Sequence, residues 1–126
     1  MNVDIDMCDA HATHDHMVMS HGGSMDGPLA AHPWPAVAAA GSPILLVPLG
    51  SCEQHGPHLP LDTDRRIADA VAAGAAGRRD DVVVAPSLAY GASGEHAHFP
   101  GTLSIGTDAL TTVLVELTRS ALPDPS

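Results

Sequence analysis

The sequence predicts an α/β fold built on a parallel sheet, and three features predict it. Two short apolar runs, Ile44 to Pro48 and Asp81 to Pro86, have the length and composition of buried strands. Between them Ile67, Val71 and Ala75 recur at helical spacing, so the stretch reads as strand, helix, strand. A polar loop follows each run, and in open α/β sheets ligands bind beyond the carboxyl ends of the strands.

In chain order, residues 1–41 are poor in large apolar side chains and rich in His, Asp, Met, Gly and Ala. Burial there is too small to offset ordering entropy, so a disordered, His-rich leader is expected. His11, His14, His16 and His21 with Cys8 have the composition of a metal-binding tract, but their spacing matches no zinc-finger template, and a solvated leader is the alternative. Pro33-Trp34-Pro35 before Ala36 to Ala40 is expected to open a short helix, with Trp34 as its anchor to the domain. Residues 42–126 read as one domain portion.

In that portion Ile44 to Pro48 is expected to be a fully buried strand. The helix from Thr63 has Thr63 as its expected N-cap and Gly77 at its stop, with Asp64 in the first turn. A carboxylate there is favoured by the helix dipole, so Asp64 taken alone would be a capping residue more often than a ligand. The valines of Asp81 to Pro86 suit a parallel sheet covered on both faces. A glycine-punctuated loop, Ser87 to Gly101, is followed by an expected short strand, Thr102 to Ile105. A last helix is expected from a Thr107 cap to near Ser120, with Leu110, Val113, Leu114 and Leu117 on one face.

Composition excludes several functions. The formal charge is -10 and the five cationic residues are all Arg, which argues against nucleic-acid or anionic-membrane partners. No apolar stretch approaches the roughly 20 residues of a membrane span. Cys8 and Cys52 make no disulfide framework and no export segment is evident, so a cytoplasmic location is expected. With only Trp34, Tyr90 and Phe99 as large aromatics, a core of Ala, Val and Leu buries little area per residue, and stability is expected to depend on neighbouring chain or subunits.

The chemistry concentrates between Leu49 and Asp64. Glu53 and His55 are two apart, which in extended backbone sends both side chains to one face, and Asp64 closes the loop. Two carboxylates with an imidazole form a ligand set for a divalent cation such as Zn²⁺ or Mn²⁺.

The run Pro48-Leu49-Gly50-Ser51-Cys52-Glu53-Gln54-His55-Gly56-Pro57-His58-Leu59-Pro60-Leu61-Asp62-Thr63-Asp64 resembles the signature of the creatininase (creatinine amidohydrolase) family. Tyr90-Gly91-Ala92-Ser93-Gly94-Glu95-His96, leading to Phe99-Pro100-Gly101-Thr102-Leu103-Ser104-Ile105, resembles its second block. Residues 61–68 and 89–96 are most similar to the family's mycofactocin-system branch, peptidases that trim a modified precursor peptide.

The resemblance implies α/β/α layers with a mainly parallel sheet, homo-oligomers, and two divalent metal ions, Zn, Mn or Fe. It implies Glu53 on one metal, His55 on the other and Asp64 bridging them, with hydroxide generated at the metals attacking an amide. Gln54, His58 and Asp62 would orient ligands or donate to the oxyanion, and Ser93 and His96 would line the substrate pocket. Cys52 reads as a small buried thiol, and Glu95 as a substrate contact or an exposed loop charge. The family's later metal ligands, around an Asn-Gly-His segment, have no counterpart, since Asn occurs only at Asn2. The chain is therefore expected to be the amino-terminal portion of such an enzyme. The functions implied are a peptidase of mycofactocin biosynthesis, a hydrolase of a small cyclic amide such as creatinine, or an inactive metal-binding fragment.

Overall fold

The computed structural model describes residues 25–122. The expected His-rich metal tract, from Cys8 to His21, lies outside them. Residues 25–41 carry a 3-10 turn, Leu29–Ala31, and a helix α1, Trp34–Ala39, with Pro35 in its first turn, where a missing N–H costs nothing. Trp34 does not anchor this helix: it is 81% exposed, since α1 buries none of its residues.

The expected strand, helix, strand unit is present as β1 (Ile44–Leu46), α2 (Thr63–Ala76) and β2 (Val82–Val84). The two strands pair in parallel with Ile44 opposite Val82, Leu45 opposite Val83 and Leu46 opposite Val84. Both strands are shorter than the apolar runs suggest. Pro48 and Pro86 lack ladder donors, so regular pairing stops and resumes only as a parallel bridge between Leu49 and Leu88. That bridge is held by Leu88 N–H to Pro48 O and Gly50 N–H to Leu88 O. It keeps the two post-strand loops side by side.

Helix α2 packs on β2, burying Ala72 and Val83. The face predicted from periodicity is open instead: Ile67 is 57% and Val71 66% exposed. Nor is β1 fully buried, because it has one neighbouring strand among the described residues, and Ile44 stays 53% exposed.

Asp62, not Thr63, occupies the N-cap of α2, while Thr63 Oγ1 donates to Pro60 O at 2.6 Å. Gly77 does end the helix, in right-handed geometry. Thr102 to Ile105 is not a strand. It makes one antiparallel bridge, Leu103 to Cys52, between Gly101 and Gly106, whose positive φ angles of 86° and 78° bend the chain away on either side. Helix α3 (Thr107–Ala121) takes Gly106 rather than Thr107 as its cap and keeps Leu110, Val113 and Leu114 half-buried. No helix among the described residues is long and apolar enough to cross a membrane.

Candidate metal centre

The loop after β1 is shaped by two close approaches. A Cβ at Gly50 would lie 2.5 Å from Arg65 Cα, so glycine lets the first turn of α2 rest directly on the loop. That contact brings Asp64 beside Ser51. The far end of the loop turns at Gly56, where φ is +72°, and Gln54 Oε1 accepts the Gly56 N–H at 2.9 Å. Glu53 N–H donates to Leu61 O at 3.0 Å and closes the loop on itself.

Within this frame Glu53, His55 and Asp64 each place one ligand-capable atom so that all three lie within 4.8 Å of one another. His55 Nδ1 is 3.0 Å from the Glu53 carbonyl oxygen, which can only accept, so Nδ1 carries a proton. His55 Nε2 faces Asp64 Oδ1 at 2.8 Å. In neutral His55 that pair is a lone pair against a carboxylate, and a proton or a metal cation must lie between them. The hydrogen bond to the Glu53 carbonyl, then that to Asp64, raises the His55 pKa above its ordinary value. Asp64 is held below the usual carboxylate range, first by the Ser51 hydroxyl that donates to Oδ2 and then, against a partly offsetting burial, by His55.

A divalent cation fits this donor set. One imidazole nitrogen with its tautomer fixed by a backbone carbonyl, and two carboxylates, are the donors that Zn²⁺ or Mn²⁺ takes.

The other residues singled out from sequence fall in different places. Gln54 Nε2 bonds His96 Nδ1 at 3.1 Å, and His96 Nε2 stands 3.9 Å from Glu53 Oε1, so both flank the cluster. His58 is exposed on the outer side of the loop. Asp62 faces away from the cluster: its carboxylate pairs with Arg65 and Arg66 at 2.9 and 2.8 Å. The Arg66 and then the Arg65 hydrogen bond hold the Asp62 pKa down. Cys52 is half-buried, with its thiol toward Gly101 O rather than the cluster.

The loop after β2 supplies the opposite wall. Glu53 and Asp64 open into a cleft of about 590 Å³ that also takes in Ser93, Glu95 and the apolar side chains of Ile67 and Val71. Ser93 is 1% exposed, and its hydroxyl has no hydrogen-bond partner, which for a buried polar group calls for an explanation. Glu95 is exposed on the rim.

Sequence reasoning passed over Ser51, which touches Asp64 directly, and Thr102, whose hydroxyl accepts the Gln54 N–H at 3.2 Å. The signal for Ser51 was its place in the site loop, two residues before Glu53.

Fold and cluster together define an α/β protein with a candidate three-donor cation site beyond its parallel strands. The family model for creatinine amidohydrolase matches residues 30–124, and the chain belongs to the creatininase family. It is 66% identical over 85 residues to a mycofactocin precursor peptide peptidase of Mycolicibacterium smegmatis, covering 63% of this chain and 34% of that protein. A protein of the same name from Mycobacterium tuberculosis strain H37Rv is 57% identical over 89 residues, covering 64% and 36%. Creatinine amidohydrolase of Pseudomonas putida is 36% identical over 98 residues, covering 74% and 37%. The chain thus spans about a third of the length of these relatives. Among solved structures, a mutant creatininase complexed with creatine superposes with a TM-score of 0.67 at 33% identity, covering 73% of this chain and 38% of that one. Creatininase structures of Zn-Zn type and in an Mn form superpose equally closely, each with a TM-score of 0.66 at 33% identity and the same coverage.

Proposed function

We propose that this chain carries metal ligands of a creatininase-family amide hydrolase whose substrate is the modified precursor peptide of mycofactocin biosynthesis. The observation that carries the reading is the convergence of Glu53, His55 and Asp64 within 4.8 Å, with the His55 tautomer set by the Glu53 carbonyl. Relatives in this branch are named precursor peptide peptidases at 57–66% identity, against 36% for a creatinine amidohydrolase, which favours a peptide over a small cyclic amide.

Glu53, His55 and Asp64 would hold the divalent cation. Bound there, divalent cations polarise an amide carbonyl and make an attacking water acidic enough to ionise near neutral pH. The chain's own residues prepare that site. Asp64 stays ionised because Ser51 donates to it, and His55 keeps its Nδ1 proton on the Glu53 carbonyl, which directs Nε2 into the site. Ile67 and Val71 give the peptide an apolar surface in the cleft.

The test is to load the 126-residue protein with Zn²⁺ or Mn²⁺ and follow the modified precursor peptide, and separately creatinine, by mass spectrometry. Metal-dependent appearance of a shortened peptide is the expected result. Creatinine turnover instead would move the substrate to the cyclic-amide class. Cation uptake with neither substrate cleaved would overturn the hydrolase reading for this chain and leave a metal-binding protein.

A further inference from the structure

Asp64 has its two carboxylate oxygens committed to different neighbours. Oδ2 accepts the Ser51 hydroxyl, and Oδ1 faces His55 Nε2 at 2.8 Å. A carboxylate anchored at one oxygen can no longer swing about its last torsion, so the direction of the other oxygen is fixed as well. We propose that Ser51 is a positioning residue: its hydroxyl holds Asp64 Oδ2 so that Oδ1 is presented, together with His55 Nε2, to a divalent cation.

Ser51 is itself confined on two sides. A Cβ on Gly91 would lie 3.2 Å from Ser51 Cβ, so the loop after β2 presses against it, and the Gly50 to Arg65 approach fixes the distance between its backbone and the start of α2. The bridge from Leu49 to Leu88 ties these loops together just ahead of it. The hydroxyl is therefore held against Asp64 by three separate backbone contacts. Outer hydrogen bonds of this kind typically change metal affinity by about 10- to 100-fold. Asp64 is 35% exposed, so water can take over its Oδ2 when Ser51 is truncated.

The inference rests on the proposed cation site, and one experiment separates the two. Mn²⁺ alone is titrated into the 126-residue protein and into its Ser51→Ala and Ser51→Thr variants by calorimetry, with the metal-free melting temperature of each measured by circular dichroism. Ser51→Ala is expected to weaken Mn²⁺ binding about 10-fold or more while leaving the metal-free melting temperature unchanged. Ser51→Thr, which keeps the hydroxyl, is expected to retain most of the affinity and carries the test on its own if the alanine variant does not fold. Wild-type affinity in Ser51→Ala, a loss matched by a fall in melting temperature, or an equal loss in Ser51→Thr would each overturn the positioning role. No Mn²⁺ binding by the unaltered protein would instead overturn the cation site on which it rests.

Discussion

The loops that leave the carboxyl ends of β1 and β2 differ in how completely their polar groups are satisfied. In the first, Ser51, Asp64, His55 and the Glu53 carbonyl form one continuous chain of hydrogen bonds. In the second, Ser93 Oγ is buried with no partner and Glu95 stands exposed at the cleft rim. An unmade hydrogen bond at a buried hydroxyl costs about 1–3 kcal/mol. The first loop thus has its polar groups already aligned on one another, while the second leaves a buried hydroxyl unsatisfied behind the cleft wall.

The sharpest break in that contrast is Asp64→Ala, which removes the residue that both Ser51 and His55 touch. Mn²⁺ binding by the described cluster should be lost, read by calorimetry. Neutralising a carboxylate of the second loop instead, by Glu95→Gln, should leave it intact.

Next in size is the response to pH. Because the folded-state pKa of His55 is raised, a proton occupies Nε2 up to a higher pH than in a free imidazole and competes with the cation. Cation affinity should therefore fall as pH drops through that raised value, by about tenfold per pH unit for one displaced proton. Without metal the sign reverses: the His55 to Asp64 pair contributes stability below the ordinary histidine pKa and loses it as pH rises through the raised one. Melting curves with and without Mn²⁺ should therefore shift in opposite directions as pH rises above the ordinary histidine value of 6.5.

Gly50→Ala tests the backbone contact behind the first loop. Its Cβ would meet Arg65 Cα at 2.5 Å, and such overpacking typically costs about 1–3 kcal/mol, to be seen as a lower melting temperature. The smallest stability effect belongs to Ser93→Ala. Removing a buried, unpartnered hydroxyl should be neutral or stabilising by up to about 1 kcal/mol, read as an equal or higher melting temperature. A destabilised Ser93→Ala would show that the hydroxyl already has a partner in the folded chain.

The extent to which this could be read from sequence follows the same division. The trio Glu53, His55 and Asp64 was legible because spacing alone places two of them on one face and the third at a helix start. The parallel pairing was legible from two apolar runs around a helical period. What hides from sequence is anything set by neighbours far along the chain. Periodicity told that Ile67 and Val71 share a face of α2, but not that this face would border a cleft. The apolar stretch around Leu103 promised a strand, but two positive-φ glycines leave it a single bridge. Ser51 gained its role only when α2 came to rest on Gly50.

The central claim is that Glu53, His55 and Asp64 bind one cation together, and NMR of the imidazole nitrogens during a Zn²⁺ titration tests it most directly, because it resolves His55 among the nine histidines of the chain. The account predicts that His55 Nε2 shifts on Zn²⁺ addition while Nδ1 keeps its proton, and that Asp64→Ala removes the shift. Zn²⁺ shifts confined to other histidines, with His55 unmoved, would contradict it.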